Sequence, residues 1–504
     1  MRILYCFIFV LIFANAAFCL TKKTTDDIPA SNEYLYRLSD RAMAISPSKF
    51  YSDTLKPVSY REAAVLFLQD ENYAELFGVN EKIEIISDRV NNIYGFESDY
   101  NEFSNIVPLK FAKMSAFLSG ENDTRYYSSF GKKSEEKYYF DASAYGFGYI
   151  GDVILGAYEI KFELNENEDV ELSRFRLKKG FKHVGVEVMK DNIVTGPGYF
   201  GQLLLSDNIE PEISVLAKTE IPYNWGILGN FRWYLWNTWF DDDDRVSSDP
   251  KLLGMRLSLK PSKYFEIGAT RVSYYGGSGQ PDYNSLKDYW KLFTAEDENT
   301  GNKWDTDQHF GLDLSIYVPA INKISPFDGM KLYAEAAWND ITAPWQEEDK
   351  GKTFALLGDS YVFGMLLVRE NMDIRLESAN IYRETYAHHN YPQGYTDNDY
   401  IIGHFIGRDA EMLGFEVYYE FTEKLHGYIG DEYIERNLDT DDKQKENRAY
   451  VGGKYFFNNN LSLESKFTYI DKNKINTYES PVNYQFKDKS EQNYYFNFEL
   501  SYNF

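Results

Sequence analysis

"NYYFNFELSYNF", residues 493–504, alternates large apolar and polar residues up to its last position. At the two-residue period of an extended strand, Tyr494, Phe496, Phe498, Leu500, Tyr502 and Phe504 share one face. Tyr495, Asn497, Glu499, Ser501 and Asn503 share the other. The buried face of a soluble sandwich strand favours Val, Ile and Leu. Six large apolar groups with aromatics at both ends instead suit a surface that meets hydrocarbon and its two interfaces.

The composition points the same way. Aromatic residues reach 17%, with 43 Tyr and 36 Phe, while mean hydropathy is −0.50. Beyond the first residues no long apolar run occurs, which excludes a helical membrane protein. An aromatic excess without helical hydropathy is what a transmembrane β-barrel with aromatic girdles requires. The opening "MRILYCFIFVLIFANAAFCLTKK" has a basic start at Arg2, an apolar run from Ile3 to Phe13, and small residues at Ala14 to Ala16. This pattern predicts a signal peptide over 1–16 and export. The two cysteines, Cys6 and Cys19, lie in or beside it, so no disulfide framework or cysteine metal site is expected. A net charge of −25 argues against a nucleic-acid partner.

From 107 onward, eighteen alternating or apolar-rich segments follow, near 107–119, 136–149, 151–163, 170–178, 181–190, 213–222, 226–240, 250–260 and 264–277. The second half adds 309–321, 329–341, 353–370, 372–384, 411–423, 425–437, 446–457, 461–474 and 491–504. Odd-numbered connections are mostly long, such as 191–212, 278–308 and 385–410. Even-numbered ones are short, such as "PSKY" at 261–264, "ENM" at 370–372 and "NNN" at 458–460. Short periplasmic turns alternating with long outer loops are the asymmetry of outer-membrane barrels. The predicted fold is an all-β transmembrane barrel of about 18 antiparallel strands, complete at Phe504. A terminal Phe on such a strand resembles the recognition signal of these barrels, so the barrel-assembly machinery and outer-membrane lipid are expected partners.

Three segments ahead of the barrel read as helices: 31–44, 59–70 with Ser59 and Glu62 spaced as a capping box, and 80–94, where Ile83, Ile86, Val90 and Ile93 recur at helical spacing. The expected division is a signal peptide at 1–16, a periplasmic linker and helical bundle at 17–106, and the barrel with long extracellular loops at 107–504. Such a bundle must be periplasmic or lie in the barrel mouth, and a pure diffusion pore would not need it.

The loop "TGPGYFGQLLLSDNIEP" (195–211) carries Gly196, Pro197, Gly198 and Gly201, followed by Leu203, Leu204 and Leu205. Three consecutive leucines would not stay in water, so this loop is expected to fold inward as a plug. It lacks the strand–loop–helix setting and following Lys of a phosphate loop. This stretch resembles the glycine–proline–glycine segment of the capsule assembly Wzi family. So do "YLYRLSDRA" (34–42) with "KPVSYREAAVLF" (56–67), and "GYTDNDYIIGHFIGRDAE" (394–411), in the same order along the chain. Thr195 departs from the family's pattern, which places an aromatic residue there. The resemblance implies an eighteen-stranded barrel with a helical bundle, and a lectin-like role in holding capsular or other surface polysaccharide at the outer membrane without hydrolysing it.

Sugar sites pair aromatic faces with planar polar groups. The candidate polysaccharide-binding residues are Trp290, Trp304, Trp345, Tyr386, Tyr391, Tyr395, His404, Arg408 and Asp409. No cofactor, metal or catalytic residue is expected. "FDDDDR" (240–245) lacks the ligand spacing of a calcium loop, and adjacent His388 and His389 would point apart in an extended chain. The alternative to an anchor is a carbohydrate-permissive porin, since a barrel of this width can pass sugars.

Overall fold

The computed structural model describes residues 26–67 and 106–504, apart from 122–123, 127–129, 132, 135–136, 151–153, 164–168, 182, 243–244, 282, 295–305, 340–358 and 477–481. The leader and the helix expected at 80–94 lie outside the described residues. Eighteen full-length strands form one closed antiparallel barrel. The first nine are β1 (Val107–Ser119), β2 (Tyr138–Ile150), β3 (Ile154–Glu163), β4 (Asp169–Gly180), β5 (Val184–Asp191), β6 (Glu212–Thr219), β7 (Asn230–Trp239), β8 (Lys251–Ser262) and β9 (Phe265–Tyr275). The others are β10 (Asp307–Tyr317), β11 (Gly329–Asn339), β12 (Ser360–Arg369), β13 (Met372–Ile381), β14 (Ala410–Glu420), β15 (Leu425–Arg436), β16 (Gln444–Phe456), β17 (Leu461–Lys472) and β18 (Glu491–Asn503).

Each strand pairs with its chain neighbour, and β1 pairs with both β2 and β18, placing Phe111 opposite Asn503 and Ser119 opposite Tyr495. The Phe504 N–H then donates to the Lys110 carbonyl at 2.8 Å. Closure leaves no strand edge unpaired in hydrocarbon. The outside is apolar: Tyr494, Phe496, Phe498, Leu500, Tyr502 and Phe504 are exposed along β18, as are Leu413 and Phe415 on β14 and Phe363 on β12. The inside is polar and charged, as in Arg174, Arg176 and Lys178 on β4 and Asp373, Arg375 and Glu377 on β13.

The N-terminal segment lies within this charged interior. Helix α1 (Glu33–Ile45) starts where the Asn32 side chain accepts the Leu35 N–H. Its Leu35, Leu38, Met43 and Ile45 pack with Tyr317, Leu366, Val368 and Phe456 of the wall. Arg37 and Arg41 lie one turn apart. Arg41 reaches Asp373 at 3.0 Å and Glu420 at 2.5 Å, and donates to the Glu370 carbonyl in the β12–β13 turn. Arg37 pairs with Glu416 and, at 3.4 Å, with Asp373. The helix therefore occupies the short-turn end. Helix α2 (Tyr60–Phe67) has the Ser59–Glu62 capping box, with the Glu62 N–H donating to Ser59 Oγ at 3.3 Å. Glu62 also pairs with Arg232 of β7 at 2.7 Å. Between the helices, Leu55–Lys56 pair antiparallel with Val194–Thr195 of the β5–β6 loop.

Because β1 and β18 close the ring, Phe504→Asp should leave less folded barrel in the membrane. The measurement is the fraction of protein whose gel migration changes on boiling. An unchanged folded fraction would remove Phe504 from the closure argument.

Candidate functional site: the obstructed mouth of the barrel

The β5–β6 loop enters the lumen and is held there by two wall carboxylates. Glu335 of β11 accepts the Gly198 N–H at 2.7 Å and the Leu203 N–H at 3.0 Å. Glu377 of β13 accepts the Tyr199 N–H at 2.7 Å, the Phe200 N–H at 3.1 Å and the Tyr333 hydroxyl at 2.8 Å. Turned backbone presents N–H groups together, and a carboxylate satisfies them in pairs. This close approach explains the glycines. Gly196 has φ +109° with the Glu335 carboxylate where a side chain would begin, and a Cβ on Gly198 would lie 2.2 Å from the Gly201 carbonyl oxygen. Pro197 stands between them with no N–H to satisfy.

Leu203, Leu204 and Leu205 are buried in one cluster with Phe405 and Ile406. The β13–β14 loop closes over them. The Tyr386 hydroxyl donates to the Leu203 carbonyl at 2.6 Å and accepts the His404 N–H at 2.9 Å. Ser206 and Asn208 donate to the carbonyls of Gly403 and Ile401 at 2.7 and 3.0 Å. Tyr391 reaches the Gly276 carbonyl at 3.2 Å, and the Tyr395 ring lies 4.5 Å from that of His309.

Below this cap, a polar cavity of about 800 Å³ remains between α1, the loop and the wall, lined by residues including Arg37, Tyr199, Glu416, Tyr428, Arg448 and Lys466. Farther round, Asp27 is buried between Lys178 of β4, at 2.5 Å, and Lys218 of β6, beside Arg176. Burial alone would push the Asp27 carboxyl up, yet the three cations hold it well below the usual carboxylate range.

The candidate sugar residues divide sharply by position. Tyr386, Tyr391 and Tyr395 are 0%, 2% and 0% exposed, so their rings pack the cap and offer no face to a polymer. His404 is fully buried against Gly201, and its Nε2 has no hydrogen-bond partner. Burial lowers its pKa to about 3, so the ring is neutral. Arg408 and Asp409 are half-buried at the rim. Arg408 donates to the Arg383 carbonyl at 3.2 Å and to Asn483 at 3.4 Å, while the Asp409 carbonyl accepts the Asn437 N–H at 2.8 Å. Trp290 stands apart on helix α3 (Leu286–Thr294), and Trp304 and Trp345 lie outside the described residues. His388 and His389 do not point apart: they sit on a turn, with ring centroids 4.4 Å apart.

Glu335 and Glu377, which hold the loop, were missed in sequence. Carboxylates are abundant here, and only their inward alternation on β11 and β13 marked them.

An eighteen-stranded outer-membrane barrel obstructed by its own N-terminal helix at one end and its own loops at the other is a plugged surface barrel. The family model for capsule assembly protein Wzi matches residues 113–503, and the chain belongs to that family. An uncharacterized 55.8 kDa protein in the cps region of Klebsiella pneumoniae is 31% identical over 111 residues, a stretch covering 21% of each chain. The Escherichia coli outer-membrane protein Wzi, described as involved in group 1 capsule assembly and as a carbohydrate-binding β-barrel, shares this fold. It has a TM-score of 0.68 and 15% identity over 95% of this chain and 99% of that one.

Two outcomes follow for the cap. Glu335→Ala with Glu377→Ala orphans four loop N–H groups at about 1–3 kcal/mol each. The variant should conduct in planar bilayers where the wild type passes little current; equal currents would show that the carboxylates do not hold the cap. For His404, the lowered pKa means the unfolded chain gains a proton below pH 6.5 that the folded one refuses until about pH 3. Its contribution is full above pH 6.5 and is lost as pH falls toward 3. His404→Gln should therefore shrink the drop in gel-shift temperature between pH 7 and pH 5, and an identical drop would assign acid sensitivity elsewhere.

Proposed function

We propose that this protein is a non-enzymatic anchor that holds capsular or related surface polysaccharide at the outer face of the outer membrane. The observation that carries the reading is the obstruction of the lumen from both ends, in a member of a capsule assembly family. A barrel that invests two buried networks in blocking its own bore is poorly suited to diffusion, so its outward-facing loops are what remain for function. In this reading the short turns face the periplasm, where the chain arrives after losing a signal peptide at 1–16, and the long loops face out. The carbohydrate-binding Escherichia coli Wzi supports the ligand class.

The proposed polymer contacts are Arg408, with Arg383 beside it and exposed at the rim, and Trp304 and Trp345 of the long loops. Arginine gives a planar donor fork for hydroxyls and carboxylates, and indole gives a broad apolar face for a pyranose ring. Tyr386, Tyr391, Tyr395 and His404 serve by shaping the cap that carries them.

Deleting the protein should leave polymer synthesis intact while polymer escapes into the medium. Replacing Arg383, Arg408, Trp304 and Trp345 together by Ala should reproduce that escape at matched protein level, with each lost contact contributing on the order of 1 kcal/mol. The measurement is the ratio of cell-bound to released polysaccharide. An unchanged ratio in the full deletion defeats the anchor reading, and a normal ratio in the quadruple variant alone defeats the residue assignment. A large steady wild-type current with no retention defect would favour the porin.

A further inference from the structure

The β9–β10 loop turns outward over the rim. Along β9, Glu266, Thr270 and Val272 face the lumen and are buried, while Ile267 is exposed on the outer wall. Alternation therefore puts Arg271 and Tyr275 on the outer wall as well. Arg271 donates to the Leu292 carbonyl at 3.1 Å and to the Phe293 carbonyl, both in the last turn of α3. It also donates through Nε to Gln308 of β10 at 3.2 Å. Tyr275 meets Tyr283 and Tyr289 edge-on, with ring centroids 5.0 and 6.3 Å away. Helix α3 thus lies against the outside of the barrel, with Tyr289 and Leu292 toward the wall.

About a quarter turn round the helix from this wall contact runs an exposed apolar stripe. Leu286, Trp290 and Phe293, spaced i, i+4 and i+7, are 63%, 62% and 40% exposed. Lys287 and Lys291 flank that stripe, one turn apart. Register fixes the height. Arg271 pairs with Phe310 of β10, which pairs with Trp338 of β11, and those two outward rings lie 5.7 Å apart. They form part of the aromatic girdle at the long-loop end. Farther along the same outer wall, away from the rim, Leu257 and Ile267 are exposed to lipid. At girdle height an outward arginine is tolerated far better than at the bilayer midplane. Here its donors go to the C-terminal carbonyls of α3, which need a partner.

We propose that α3 is an interfacial helix lying in the outer leaflet of the membrane that holds the barrel. Leu286, Trp290 and Phe293 enter the acyl boundary, and Lys287 and Lys291 meet anionic headgroups. Trp290 is then a lipid anchor and not a sugar platform. The inference rests on the outer-membrane location and is independent of the polysaccharide reading.

The test uses the full exported barrel, with Cys19→Ser, in phosphatidylethanolamine–phosphatidylglycerol vesicles. An environment-sensitive label is placed at Trp290→Cys and, as a reference, at Thr440→Cys on an exposed loop tip. The label at 290 should be quenched by lipid brominated high on the acyl chain and be protected from aqueous iodide several-fold relative to 440. Equal iodide quenching without bromolipid quenching overturns the proposal. Adding Leu286→Asp and Phe293→Asp should leave gel-shifted, folded barrel but bring the label into reach of iodide. Lipid quenching that persists there overturns the assignment of the helix face. Finally, Trp290→Ala should leave the ratio of bound to released polysaccharide unchanged; loss of polymer with lipid contact intact would give Trp290 to the polymer instead.

Discussion

Backbone hydrogen bonding in hydrocarbon governs this molecule. An unpaired N–H or C=O there costs several kcal/mol, so the sheet cannot end, and β1 must meet β18. Eighteen strands then enclose a bore too wide for wall side chains to fill. Strand alternation makes that bore polar because the other face belongs to lipid. Whatever enters must answer Arg176, Lys178, Lys218, Asp373 and Glu416 with opposite charge, since a lone buried ion costs far more than a paired one. The ion pairs of Asp27, Arg37 and Arg41 follow from the closure of the ring.

The two ends of the bore solve this problem differently. At the short-turn end, a helix carries its own charges to the wall and packs a small apolar cluster around them. At the long-loop end, the entering chain brings no charge at its turn but a row of backbone N–H groups, which Glu335 and Glu377 accept in pairs. Once those groups are satisfied, Leu203 to Leu205 and the tyrosines of the β13–β14 loop can build a dry layer. The strand pairing of Leu55–Lys56 with Val194–Thr195 joins the two arrangements.

Much of the wall could be read from the chain because membrane strands obey a single local rule. Each of the eighteen alternating segments overlaps one strand. Helix α2 was legible through Ser59 and Glu62, since a capping box is a local contact. Function-bearing positions were harder. Tyr386, Tyr391 and Tyr395 look in sequence like loop aromatics open to sugar, and only the return of the β5–β6 loop beneath them makes them core. Trp290 raised the opposite difficulty, because its surroundings depend on which way a long loop folds over the rim. The turn at His388 and His389 brought together rings that an extended chain would separate. For the tyrosines the deciding contact lies far away in sequence.

The N-terminal segment is tied to the wall over a wide arc. Asp27 reaches β4 and β6, Glu62 reaches β7, Thr54 accepts from Arg256 of β8, and Asp53 pairs with Lys331 of β11 at 2.9 Å. Arg41 reaches β13 and β14. A body fastened all round cannot slide out along one wall, because loosening a few contacts leaves the others in place and strands newly unpaired charges. Release therefore requires many of these contacts to break together. The segment is a bolted hatch, seated by many fastenings and hinged on none.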